Sequence, residues 1–119
     1  MIHRSHRFHG HGSLRFVYQH GETLRAQYGT LKYILNPRRK TYRMAVVVSR
    51  KVHKSAVVRN RIRRRIYEAV RRREAEITQP YDLIFTAYSD IVATMDADEL
   101  ESRVAEKLEQ AGIIPPKTS

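Results

Sequence analysis

The chain has 119 residues, 41% of them hydrophobic, no cysteine, and a formal charge of +11 from 23 Lys and Arg against 12 Asp and Glu. That length makes a single domain able to bury roughly two-thirds of its unfolded surface, and the lack of cysteine excludes disulfide scaffolds, thiolate metal sites and cysteine nucleophiles. The charge is blocked rather than mixed: residues 38–73 hold fifteen Lys and Arg and one acid, while residues 74–119 hold three and ten, so a basic face for a polyanion and an acidic back are expected.

In chain order, residues 1–12 read as a flexible basic arm in which His3, His6, His9 and His11 stand among Arg4, Arg7 and Phe8. Four imidazoles without an acidic or thiolate ligand are a weak zinc signal. The folded domain is expected over residues 13–114, followed by a tail over 115–119. Ser13 can cap a short helix that presents Leu14, Val17 and Tyr18 on one side and stops at Gly21. Thr23 to Gln27 reads as an edge strand, Thr30 to Leu35 as a second strand and Tyr42 to Ser49 as a third. Asn36-Pro37-Arg38-Arg39-Lys40 would be the basic tip of a hairpin joining the last two. Lys32 and Tyr33 must point to opposite faces of the second strand.

A polar turn, Arg50 to Lys54, leads to Ser55 as the cap of a long helix. There Val58, Ile62, Ile66, Ala69 and Val70 form a docking stripe at spacings of three and four. Asn60, Arg64, Tyr67 and Arg71 fall opposite it, and Arg59, Arg65 and Arg72 lie nearer its edge. Seven arginines between positions 59 and 72 with the single acid Glu68 repel one another. Each like-charged i,i+4 pair costs a few tenths of a kcal/mol. A polyanion would offset this, and guanidinium forks suit phosphate oxygens. The helix spends its apolar stripe on the core, with no Trp or Phe left for lipid, and no apolar run approaches about 18 residues. A cytoplasmic protein without membrane contact is expected.

Tyr81 to Tyr88 then reads as a buried strand parallel to the third, since a helix connects them; the general rule would make that crossover right-handed. Asp96-Ala97-Asp98-Glu99 is a capping box. It opens a helix whose stripe is Leu100, Val104, Leu108 and Ala111, ending at Gly112. The carboxylates Asp90, Asp96, Asp98 and Glu99 surround that helix start, where capping accounts for them. His53 sits between Lys51 and Lys54, a poor setting for a protonated acid. No catalytic residue and no metal ligand is therefore assigned to the protein.

The run Ser49-Arg50-Lys51-Val52, then Ala56-Val57-Val58-Arg59-Asn60-Arg61-Ile62-Arg63-Arg64, with Ile66 and Glu68-Ala69, resembles the RNR signature of the protein subunit of bacterial ribonuclease P. Leu14-x-x-Val17-Tyr18-x-x-Gly21 resembles the first helix of that family. The resemblance implies an α+β fold with a four-stranded mixed sheet in α-β-β-β-α-β-α order, similar to domain 2 of ribosomal protein S5, with a left-handed βαβ crossover. It implies that Arg50, Lys51, Lys54, Arg59, Asn60, Arg61, Arg63, Arg64 and Arg65 contact the ribonuclease P RNA. Leu14, Tyr18, Lys32 and Tyr33 would contact the 5′ leader of precursor tRNA. Leu14 stands where the family usually has Phe, and Tyr67 and Tyr88 stand where it often has a basic residue. The implied activity is endonucleolytic removal of the leader, with Mg2+ held mainly by the RNA subunit and no obligate protein partner. A structural ribosomal-RNA-binding protein and an independent nuclease are the rival classes.

Overall fold

The computed structural model describes residues 6–7 and 11–116. Helix α1 (His11–His20) starts before the Ser13 cap predicted for it and ends against Gly21, whose N–H donates to the Val17 carbonyl at 2.7 Å. A side chain at Gly21 would meet the carbonyl oxygens of Val17 and Tyr33 at 2.6 and 2.9 Å. The turn therefore needs glycine so that the chain can enter β1 (Glu22–Ala26) while α1 stays close to the sheet. Strand β1 pairs antiparallel with β2 (Gly29–Leu35).

Strand β3 (Arg43–Val48) does not form the predicted hairpin with β2. Strand β4 (Tyr81–Ala87) lies between them, antiparallel to β2 and parallel to β3, giving the order β1-β2-β4-β3. The reason is burial. Leu83, Ile84 and Phe85 of β4 are all buried, on both faces of the sheet, and a strand apolar on both faces belongs at the centre. The segment between β2 and β3 is instead tied across the end of β4. Asp82, 1% exposed, accepts from Arg43 Nε and Nη2 at 2.8 and 3.0 Å and from Asn36 Nδ2 at 3.0 Å.

Helix α2 (Ala56–Arg71) is capped as predicted, Ser55 Oγ accepting from the Val58 N–H, and it buries Ile62, Ile66, Ala69 and Val70. Helix α3 (Ala97–Gln110) is capped by Asp96, which accepts from the Asp98 and Glu99 N–H groups. The Glu99 carboxylate pairs with Arg103 at 3.1 Å, so the reciprocal half of the predicted box is replaced by a side-chain pair. Helices α2 and α3 cover one sheet face, where Leu31, Met44, Val46, Leu83 and Phe85 join the main core. On the other face Val17 packs with Ala45 and Ile84, flanked by Leu14, Ile34 and Val47. That second cluster is small, so α1 covers only part of its face. Beyond the free edge of β3, Arg7 forms a parallel bridge with Met44 and the His6 ring stacks on Tyr42. Other residues of the expected arm, 1–5 and 8–10, lie outside the described residues, as do residues 117–119 of the tail.

Candidate nucleic-acid interface

Two surfaces carry the predicted site residues. The first is the β3–α2 connection and the outer side of α2. Arg50, Lys51, Lys54, Asn60, Arg61 and Arg64 are exposed, and Arg63 is half-buried. Arg63 donates to the Asn60 side-chain carbonyl, which orients both groups on one turn of the helix. Two arginines of the same set turn inward. Arg59 Nη1 donates to the carbonyls of His53 and Lys54 at 2.9 Å each, and His53 Nδ1 accepts from the Ser55 N–H at 3.0 Å. The basic loop is thus braced by one of its own cations and by the imidazole. Arg65 donates to the Ala93 carbonyl at 2.8 Å and to the Met95 carbonyl, stitching α2 to the segment before α3. Tyr67 also departs from its predicted outward place: it is half-buried against the main core, and burial raises its phenol above the ordinary value.

Cations toward the carboxyl-terminal end of α2 meet acids. Arg71 and Arg72 pair with Glu68 at 2.5 and 3.8 Å, and Arg72 also reaches Glu101 on α3 at 3.1 Å. The Arg71 hydrogen bond holds the Glu68 carboxyl down at about 2, against the opposing effect of burial. Positive charge not met by carboxylates is therefore concentrated on the first half of the helix and the loop before it.

The second surface is the strip of sheet that α1 leaves uncovered. An open groove there is lined by Tyr18, Arg25, Thr30, Lys32, Thr86 and Tyr88. Lys32 Nζ donates to the Tyr18 carbonyl at 2.9 Å and lies 5.8 Å from the centre of the Tyr18 ring. Tyr88 is 62% exposed, with its hydroxyl 3.5 Å from Thr30 Oγ1. Gly29 lies in this lining where β2 and β4 approach closely, and a Cβ there would stand 2.2 Å from the Thr86 carbonyl oxygen. The groove thus offers two exposed aromatic rings and two cations in one trough, the combination that holds an extended single strand by stacking and phosphate attraction.

Leu14 packs in the small core under α1 beside this strip. Tyr33 does not join the groove: it faces the α2–α3 side, donates to Glu22 Oε2 at 2.7 Å and meets Tyr81 edge-on. Burial and the Glu22 carboxylate push its phenol up to about 12. Of the two opposite-face candidates on β2, Lys32 therefore shares a face with Tyr18 and Tyr33 does not, because strand alternation sends them to different sides. Arg25 and Thr86 were not singled out from the sequence. Arg25 carries no motif, and Thr86 enters the groove only because β4 pairs with β2. Tyr88 was noted only as a replacement for a basic residue.

Among the described residues no group of three or more His, Cys, Asp or Glu gathers as a bound metal ion would require. No helix there is long and apolar enough to cross a membrane.

Comparison with known proteins adds a family. The family model described as Ribonuclease P matches residues 2–112. A protein of Chloroflexus aurantiacus named ribonuclease P protein component is 35% identical over 116 residues, covering 98% of this chain and 84% of that protein. A protein of the same name from Brevibacillus brevis is 31% identical over 113 residues, covering 95% and 88%. Among solved structures, the RNase P protein of Staphylococcus aureus superposes with a TM-score of 0.80 at 21% identity, covering 92% of this chain and 97% of that one. The RNase P protein from Thermotoga maritima gives 0.72 at 20% identity, covering 82% and 89%.

Proposed function

The chain belongs to the ribonuclease P protein family, and from that premise we propose that it is the protein component of a ribonucleoprotein endonuclease that removes the 5′ leader from precursor tRNA. The observation that carries this reading is the coexistence of two separate surfaces: a cationic helix face with few acids, and a trough of aromatic and basic side chains on another element. A protein that only braced ribosomal RNA would need the first and not the second.

In this reading Arg50, Lys51, Lys54, Asn60, Arg61, Arg63 and Arg64 meet the ribonuclease P RNA. Guanidinium forks and the Asn60 amide engage phosphates and exposed base edges. Arg59 and Arg65 act behind them, holding the loop and the helix in place. The precursor's leader lies along the trough, its bases on Tyr18 and Tyr88 and its phosphates near Lys32 and Arg25, with Leu14 supporting the helix from beneath. In this reading Mg2+ is held mainly by the RNA subunit. Lower phosphate repulsion at the protein's basic face aids ion binding indirectly. The setting is the cytoplasm, where precursor tRNA is processed.

Reconstitution tests the reading. The protein, the cognate ribonuclease P RNA and a precursor tRNA are combined singly and together at low magnesium. Leader cleavage is expected only when RNA and protein are both present. Cleavage by the protein alone would establish the independent-nuclease reading instead, and absence of any stimulation by the protein would overturn the assignment.

A further inference from the structure

A hollow beside α2 is lined by Arg7, Val57, Asn60, Arg63, Arg64 and Tyr67. Three of those residues carry guanidinium groups and none carries a carboxylate. Several arginines elsewhere meet acids: Arg43 with Asp82, Arg71 with Glu68, Arg73 with Glu76 and Arg103 with Glu99. Arg7 reaches the hollow because His6 and Arg7 are fastened beside the sheet. Its own backbone bridges to Met44 on β3. The preceding His6 ring stacks on Tyr42 with centroids 4.2 Å apart and planes 7° from parallel, and His6 Nδ1 lies 2.9 Å from the Tyr42 carbonyl oxygen. The Arg7 guanidinium carbon then stands 6.0 Å from the centre of the Tyr67 ring, at the outer limit for a cation on an aromatic face. Val57, 74% exposed, adds an apolar wall beside the cations.

Like charges converging on one concavity repel, and no acid of the lining offsets them. A phosphodiester would. Its oxygens match guanidinium forks, and the sugar or base attached to it can rest on Val57 and the edge of Tyr67. We infer that the docking of His6 and Arg7 beside β3 delivers Arg7 to a phosphodiester-binding hollow shared with Arg63 and Arg64, so that RNA is gripped across the β3 edge as well as along α2. The inference rests on the reading that α2 faces RNA. Because the hollow is continuous with Asn60 and Arg64, and not with the Lys32–Thr86 trough, its occupant is the backbone of the ribonuclease P RNA.

The test is equilibrium binding of the full chain to refolded ribonuclease P RNA across a salt series. A parallel arm measures binding of precursor tRNA, long-leader and leaderless, to the reconstituted enzyme. Arg7→Gln should weaken RNA-subunit affinity by about tenfold, the loss of one charge-assisted contact, and flatten the log–log salt slope by about one. His6→Ala should weaken it in the same direction, and His6→Phe, which keeps the stack on Tyr42, should restore most of the loss. Arg103→Gln, which removes a cation from α3, should change neither affinity nor slope. If Arg64→Ala weakens binding and Arg7→Gln does not, the hollow is overturned while the α2 reading stands. If neither variant matters, both fall. If Arg7→Gln harms only long-leader precursor binding, the assignment to the RNA subunit is overturned in favour of the leader.

Discussion

At the scale of single residues, Asp82 and the Tyr18–Tyr33 contrast show how far a side chain's role depends on what surrounds it. Asp82 is buried with a bidentate Arg43 and an Asn36 amide on its two oxygens. Asp82→Ala would take the bidentate carboxylate away from Arg43, whose side chain is 16% exposed, and breaking such a pair costs about 3–5 kcal/mol. Urea unfolding should show a loss toward the lower end of that range, given the access of water to Arg43. Tyr18 and Tyr33 were equal in the sequence as aromatic candidates, and the fold separates them. Tyr18→Ala should weaken binding of long-leader precursor to the reconstituted enzyme by roughly 1–3 kcal/mol, the worth of a stacked base, and leave leaderless tRNA unaffected. Tyr33→Ala should lower stability instead and leave the ratio of the two affinities unchanged. The alternation of β2 was legible in Thr30 to Leu35. The face on which the trough lies was not, because that depends on where α1 docks.

At the scale of elements, α2 was the most legible part of the chain. Ser55, the stripe through Ile62 and Ile66, and the cations between them each point to the same helix. What the periodicity did not separate is arginines that reach outward from arginines that turn back. Arg59 and Arg65 find carbonyls of neighbouring loops, and those loops are placed by tertiary structure, not by the helix's own repeat. The two groups should behave differently. Arg61→Ala and Arg64→Ala should each make the salt dependence of RNA binding shallower by up to about one log–log unit without altering the melting temperature. Arg65→Ala leaves the Ala93 and Met95 carbonyls without their donor and should cost about 1–3 kcal/mol in thermal or urea unfolding. The β2–β3 hairpin was the element-scale error. A basic tip between two strand-like runs looks like a turn, and nothing local in Asn36 to Lys40 reveals that a strand encoded some forty residues later takes the place between them.

At the scale of the whole molecule, the blocked charge of the sequence becomes two sides, with cations on the β3–α2 loop and the first half of α2, and acids on α3. The stability of the whole also carries an alkaline limit. Burial, with Glu22 beside Tyr33 and Glu74 accepting from Tyr42, raises both phenols, Tyr33 to about 12 and Tyr42 further, and burial raises Tyr67 as well. A phenol held above its unfolded value stabilises the fold fully below about pH 10, and that contribution disappears as pH climbs through the folded-state value. Unfolding free energy should therefore stay level up to about pH 10 and fall above it. Tyr42→Phe should blunt the fall, at a cost near neutrality of about 1.5–3 kcal/mol for the lost bond to a carboxylate. The central position of β4 has a further consequence in time. On the ribosome the chain emerges amino end first, so β1, β2 and β3 exist before the strand that joins them, and until Tyr81–Ala87 leaves the exit tunnel both β2 and β3 expose an unpaired edge. The sheet cannot be completed until the whole of the arginine-rich helix has been made, so RNA that arrives earlier meets a cationic nascent chain without a finished sheet behind it.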